Sequence, residues 1–195
     1  MIVLPADHRW ATLDDATAMA ELVNMAGEGM PLYLWEQAAK PGESAWDIGR
    51  RRAQRDAGAY SWRNTVIREI DGRVAATLIG YPLPDVPDPI DPDMPAMFVP
   101  LQELENLAPG TWYVNILATY PEYRGRGCGA ALLEIAETLA AASLRRGLSL
   151  IVSDANTGAR RLYERLGYAE RATRPMLKES WANDGENWVL MVRGR

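Results

Sequence analysis

Residues Arg124-Gly125-Arg126-Gly127-Cys128-Gly129-Ala130 constrain this chain's fold more than any other stretch. They stand between a run that reads as a strand, Thr111 to Thr119, and one that reads as a helix, Ala130 to Arg145. Closely spaced glycines let several backbone N–H groups turn toward one point, and the helix that follows adds its positive end. The result is a concave anion site suited to a pyrophosphate, with Arg124 and Arg126 able to add charge at its rim. The helix carries Leu132, Leu133, Ala136, Leu139 and Ala140 on one face, and Gly147 is expected to stop it. Leu148 to Val152 is a continuous apolar run, as expected of a strand covered on both faces.

The remaining elements follow from spacing and turn chemistry. Residues 9–11 read as a short strand. Thr12 with Asp15 reads as a variant capping box, opening a helix over about 13–26 on Ala16, Met19, Ala20 and Val23. Gly27-Glu28-Gly29 stops it. Helices follow at Leu32 to Ala39 and at about 43–57, the latter carrying Arg50, Arg51, Arg52 and Arg55 as a solvated face. Trp62 to Ile70 and Val74 to Tyr81 read as a hairpin across Asp71-Gly72. Residues 82–100 hold seven Pro and four Asp, which excludes helix or central strand and leaves a solvated excursion or a lid. Leu101 to Leu107 reads as one or two helical turns. Asn156 to Leu166 is a last helix, and Tyr168 to Thr173 and Trp188 to Val192 are last strands.

At 195 residues and 21.6 kDa, with no linker or repeat, the chain is expected to be one domain over 1–195 with an insertion at about 82–100. The charge sum is 21 minus 26, or −5, which argues against nucleic acid and anionic lipid as partners. One Cys excludes an internal disulfide and one His excludes a histidine metal cluster, so no metal is expected. No apolar run is long enough to span a membrane and the N-terminus lacks a signal-peptide pattern; a soluble, cytoplasmic protein is expected. Cys128 has only His8 as a conceivable catalytic partner, so a small residue beside the loop is its default reading.

Two nucleotide-type patterns fit the glycine string. Gly125-x-Gly127-x-x-Ala130 matches a dinucleotide fingerprint, with Asp154 near the place of a ribose acid. Against it, Tyr120-Pro121-Glu122-Tyr123-Arg124 separates the strand from the first Gly. The other pattern is Arg124-x-x-Gly127-x-Gly129, preceded by the strand through Asn115 and Leu117. One helix and one strand later comes Asn156-Thr157-Gly158-Ala159-Arg160-Arg161-Leu162-Tyr163-Glu164-Arg165-Leu166-Gly167-Tyr168.

On these motifs the chain resembles the GNAT superfamily of acetyl-CoA-dependent N-acetyltransferases. The resemblance implies an α/β (α+β) fold, a mixed, mostly antiparallel sheet of about seven strands with helices on both faces. It implies acetyl-CoA as co-substrate and a primary amine as acceptor, and a homodimer paired through sheet edges is allowed; the acidic balance and the Asp-rich excursion at 85–93 favour an amine of a small molecule. Arg124, Gly125, Arg126, Gly127, Cys128, Gly129 and Ala130 would hold the CoA pyrophosphate. Leu117, Ala118 and Thr119 would pair with the pantetheine arm like an added strand. Asn156 and Ala159 would meet the cofactor beside the following helix, and Tyr163 would stand by the thioester sulfur as the acid for the leaving thiolate. Glu28, after the first helix, would bind a cationic amine or take its proton through water. Asn115 lies on the strand where many relatives carry a glutamate base. Here no acid stands between Gly110 and Tyr120; Glu103 and Glu105, upstream, are further candidates. The competing class is a non-catalytic acyl-CoA-binding or regulatory module, which the missing strand acid favours.

Overall fold

The computed structural model describes residues 2–194. The elements are β1 (His8–Trp10), α1 (Ala16–Ala26), α2 (Met30–Ala38), α3 (Ala45–Ala53), β2 (Thr65–Ile70), β3 (Arg73–Pro82), α4 (Val99–Glu105), β4 (Trp112–Thr119), α5 (Cys128–Ala142), β5 (Gly147–Ser153), α6 (Thr157–Arg165), β6 (Ala169–Pro175) and β7 (Asn187–Gly194). The strands form a seven-stranded sheet in the order β1-β2-β3-β4-β5-β7-β6. β4 and β5 are parallel, while β1–β2, β2–β3, β5–β7 and β6–β7 are antiparallel. The expected mixed, mostly antiparallel sheet is present. The chain divides into two compact units, Met1–Gly80 with Asn115–Ile135, and Tyr81–Val114 with Ala136–Arg195.

In the first unit the hairpin turn is the one its sequence specifies. Asp71 and Gly72 both have positive φ, 52° and 70°, as a two-residue turn between twisted strands requires. Ile67 and Ile79, two residues off register on one face, bury against Met19, Ala20 and Val23 of α1, Trp35 of α2 and Ile48 of α3. Trp35 stacks on Tyr60 at 6.3 Å and meets the edge of Trp46 at 6.0 Å. A Cβ on Gly49 of α3 would lie 2.5 Å from the Trp35 ring, so that helix needs a residue without a side chain there. Arg9 of β1 grips Asp15 at 2.7 Å and Glu69 of β2 at 2.8 Å. The same Asp15 accepts from the Thr12 N–H, closing the predicted capping box.

Several boundaries in this unit differ from the sequence reading: α2 starts at Met30 and α3 spans only Ala45–Ala53. Leu13–Asp15 is a 3-10 turn, so α1 starts at Ala16. Trp62–Asn64 is also a 3-10 turn, because the Ser61 hydroxyl accepts from the Arg63 N–H and holds the chain out of the strand until Thr65. Arg50 and Arg51 of α3 pair with Asp47 and Glu43, but Arg52 is half-buried and Arg55 lies beyond the helix, which ends at Ala53, so the expected solvated run of four arginines on one helix is only partly present.

In the second unit β5 is buried along most of its length, as its apolar run predicts. The Thr111 and Ser149 hydroxyls, buried beside the parallel pairing of β4 and β5, satisfy each other at 2.7 Å. The Pro/Asp-rich segment is exposed but tied down at both ends of its first half. Leu83 N–H donates to Thr111 O, Arg145 reaches Leu83 O and Asp85, and the Asn106 side chain bonds both the N–H and the carbonyl of Asp88. The exclusion of helix over 82–100 fails at its end. Ala96–Phe98 forms a 3-10 turn and α4 begins at Val99, with Pro100 in its first turn, where a missing N–H costs nothing.

Helix α5 differs from expectation at both ends. It starts at Cys128, two residues before Ala130, and Gly147 is the first residue of β5, not the stop. The stop is Leu144, whose φ is 56°. Its N–H donates to Ala141 O and that of Arg145 donates to Ala140 O, the paired bonds of a Schellman end with leucine in the left-handed position. Leu144 is 89% exposed, so its side chain recovers little of the cost. Leu144→Gly is therefore expected to stabilise the protein by about 1 kcal/mol, read as a raised midpoint in urea at unchanged m-value.

Candidate functional site

The loop that follows β4 belongs to the first unit. Tyr120 N–H donates to Ala75 O, extending the pairing one residue beyond β4. Pro121–Tyr123 then makes a 3-10 turn, and Gly125 and Gly127 take φ of 74° and 73°, the left-handed region. Ala131 N–H is bonded to Gly127 O, the first bond of α5. The N–H groups of the preceding turn have no helical partner by geometry. A Cβ on Gly125 or Gly127 would meet nothing within 4 Å, so both positions open outward. Glycine is favoured there by the backbone angle, and the space beside it is free for a ligand. The arrangement fits a pyrophosphate: outward N–H groups, a helix N-terminus, and the exposed Arg124 and Arg126.

Neighbouring side chains tie this loop to α1. Arg124 donates to Thr119 O at 3.3 Å and to the Met25 sulfur at 3.4 Å, and the Tyr120 hydroxyl donates to Glu21 at 2.5 Å. Arg126 lies over the Tyr123 ring at 5.5 Å. Cys128 is buried with its Sγ toward Tyr123 O, and His8 Nδ1 is bonded to Ala6 O, so the two are engaged separately. Asn115 and Leu117 are half-buried. Ile116, between them, packs against the α1–α3 core, so by alternation both face the other side of β4.

Glu28 occupies the corner after α1. Its φ is 53°, unusual for a residue with a side chain, while Gly29 stands at 89°. Glu28 N–H donates to Met25 O and Gly29 N–H to Asn24 O, a second Schellman end with a side-chain-bearing residue in the left-handed position. Asn24 Oδ1 also accepts from Leu32 N–H at 3.0 Å, which fixes the turn into α2. Gly27 cannot carry a Cβ, which would lie 2.6 Å from Pro31. A half-buried carboxylate is thus held in a strained, well-braced corner, a pattern concentrated at binding sites.

The second unit holds the other predicted residues. Asn156 caps α6, its side chain accepting from Ala159 N–H at 3.2 Å. Tyr163 is 7% exposed, its ring 5.7 Å from that of Tyr168. Burial raises its phenol to about 12, so it is protonated at neutral pH. Asp154, the ribose acid of the dinucleotide reading, has a different task. It accepts from Glu186 N–H, Asn187 N–H and the Asn187 side chain, closing the turn before β7. Burial works against its ionisation, yet these bonds hold its carboxyl below the ordinary value. A Cβ on Gly185 would lie 2.3 Å from Ser153 Oγ and 2.9 Å from Asp154 Oδ1, so this turn closes only on glycine. That reading loses its second residue.

Glu103 is engaged with Arg174 at 2.5 Å. Glu105, two residues on, is not so matched. It is half-buried at the end of α4, while Tyr81 of β3 and Tyr113 of β4 meet edge-to-face at 5.6 Å. Burial pushes its carboxyl up to about 7, the charge of Asp88 adds to the rise, and the Tyr81 phenol opposes it as a hydrogen-bond donor. Composition gave Glu105 no more weight than Glu103; only the fold distinguishes them. Among the described residues no group of three or more acids, His or Cys could hold a metal, and no helix is long and apolar enough to cross a membrane.

The raised Glu105 has a consequence for stability. Its folded value lies above that of the unfolded chain, so the folded state binds the extra proton between about pH 4.5 and 7 and loses stability as pH rises through that window. Glu105→Gln is expected to raise the melting temperature at about pH 8 and to change it little at about pH 5, by calorimetry.

The sequence profile of the acetyltransferase (GNAT) family matches residues 30–168. No curated protein matches the sequence. Among solved structures, an acetyltransferase is 24% identical with a TM-score of 0.66, over 96% of this chain and 98% of that one. An N-acetyltransferase from Staphylococcus aureus is 18% identical with a TM-score of 0.67, over 96% and 100%. A GNAT family acetyltransferase from Elizabethkingia anophelis, solved with acetyl-CoA bound, is 14% identical with a TM-score of 0.50, over 67% and 75%. At these identities the likeness is one of fold.

Proposed function

This chain belongs to the GNAT family of acetyltransferases, and on that premise we propose that it transfers the acetyl group of acetyl-CoA to a primary amine of a small molecule. Transfer is by direct attack in a ternary complex. The observation that carries the reading is the outward-opening pair of left-handed glycines, Gly125 and Gly127, at the N-terminus of α5. Acetyl-CoA supplies an activated acyl carbon. The chain's own groups hold it, polarise it and manage the protons. The N–H groups from Gly125 to Ala130, with Arg124 and Arg126, take the pyrophosphate. Leu117, Ala118 and Thr119 offer backbone to the pantetheine arm, and an N–H near Leu117 polarises the thioester carbonyl. Asn156 and Ala159 add cofactor contacts from the start of α6.

Tyr163 is the acid that protonates the departing thiolate; its raised phenol value keeps the proton available at neutral pH. Glu28 receives the cationic acceptor, which accounts for a carboxylate held in a strained corner. Asn115 takes the place on β4 where a base acid is missing and serves to orient the acceptor. The acidic balance of −5 and the exposed Asp85, Asp88, Asp91 and Asp93 favour a cationic small molecule. The two compact units are read as parts of one acyltransferase domain, working in the cytoplasm.

Two variants separate the roles. Tyr163→Phe is expected to lower kcat by about 10²–10⁴-fold with little change in acetyl-CoA affinity. An unchanged kcat over an amine panel would reduce Tyr163 to packing. Gly127→Val is expected to abolish acetyl-CoA binding by calorimetry, because the side chain would both strain the left-handed turn and fill the open side. Retained tight binding would remove the loop from the site.

A further inference from the structure

We propose that Tyr168 is the positioning residue for Tyr163, its ring setting the direction in which that phenol presents its proton. This rests on the acyl-transfer reading, in which Tyr163 is the acid. The case begins at the end of α6. Gly167 takes φ of 85°, its N–H donates to Glu164 O, and the Tyr168 N–H donates to Tyr163 O at 3.0 Å. These are the paired bonds of a Schellman end, here with glycine in the left-handed position. The motif folds the residue after the glycine back onto the third residue from the helix end. In this helix those two residues are Tyr168 and Tyr163. Their rings lie 5.7 Å apart, tilted at 56°, and the residues are only 3% and 7% exposed. Arg193 of β7 flanks the same turn, its Nε 3.7 Å from where a Cβ of Gly167 would stand, and is itself paired with Glu137 of α5.

The start of α6 is fixed as well, by the Asn156 side chain on the Ala159 N–H at 3.2 Å. Ala159 and Tyr163 are four residues apart and share one face of the helix. A short helix anchored at both ends thus keeps the acid at a set distance from the cofactor contacts at its start. The ring itself still has its own torsions, and an unpacked tyrosine hops among rotamers. Proton transfer needs the phenol oxygen within hydrogen-bond reach of the group it serves, so a ring free to swing loses rate without losing affinity. The neighbouring ring of Tyr168 removes that freedom. Its hydroxyl takes no part, being buried with no hydrogen-bond partner among the described residues. The ring alone carries the role.

The test is a double-mutant cycle on thiol release from acetyl-CoA, with n-butylamine as the primary-amine probe. Tyr168→Leu is expected to lower kcat by about 10–10²-fold, with the affinity and stoichiometry of acetyl-CoA binding by calorimetry unchanged. Full stoichiometry separates lost positioning from lost folding; where it falls short, Tyr168→Met takes the place of Tyr168→Leu in the cycle. Tyr168→Phe, which restores the ring, should recover kcat to within about twofold of wild type and raise the urea midpoint, since it removes the unpartnered hydroxyl. In a Tyr163→Phe background, Tyr168→Leu should cost less than about twofold more, because the group it acts through is gone. Equal losses in the two backgrounds, or a Tyr168→Leu kcat equal to that of wild type, overturn the positioning role while leaving acyl transfer in place. A Tyr163→Phe protein as active as wild type overturns the acid, and wild-type protein that releases no thiol overturns the acyl-transfer reading itself; this inference falls with either.

Discussion

The turn between β4 and α5 is made cheap by two positions that lack a side chain. Gly125 and Gly127 stand at φ of 74° and 73°, where an L-residue costs about 1–2 kcal/mol. With both in place, Gly127 gives the first helical carbonyl and the N–H groups ahead of Ala131 point out of the helix. Nothing of the protein lies within 4 Å of where a Cβ would project at either glycine. The rest of the first unit supports this turn. Tyr120 extends β4 against Ala75, Arg124 braces the loop on Thr119 and Met25, and the Trp35–Gly49 contact packs α2 against α3 in the core that covers β2 and β3.

The protein tolerates left-handed strain at other positions, and there the glycine rule fails. Glu28 and Leu144 both occupy the left-handed end of a helix although each has a side chain. At Leu144 the exposed side chain gives no visible return. At Glu28 the return is a carboxylate fixed in a corner beside the helix that braces the loop. Strain of equal size thus carries different meaning, and the chemistry of the side chain decides it.

Local signals were legible where local physics settles the matter. Asp71-Gly72 named its turn, Thr12 and Asp15 named their cap, and the glycine loop, with the Asn156 to Tyr168 run, announced the family. Helix ends were less legible. Gly147 looked like the stop of α5, but the chain turned three residues earlier at Leu144, because backbone bonds to Ala140 and Ala141 close the end regardless of residue type. Residues Ala96 to Pro100 looked closed to helix, yet a proline in a first turn is harmless. Burial was illegible. Glu103 and Glu105 are alike in sequence, and only tertiary structure gives one an arginine and leaves the other half-buried with its carboxyl pushed up. Asp154 fitted a ribose acid by spacing, and its bonds to Glu186 and Asn187 assign it to a turn.

The central claim is that the loop from Arg124 to Ala130 holds an acyl-CoA pyrophosphate. Calorimetric titration of the wild-type protein with acetyl-CoA, with NADH and NADPH as controls, tests it most directly. Binding of acetyl-CoA in the micromolar range with no binding of either dinucleotide is the predicted result. Binding of a dinucleotide, or no binding of any CoA thioester, would contradict it.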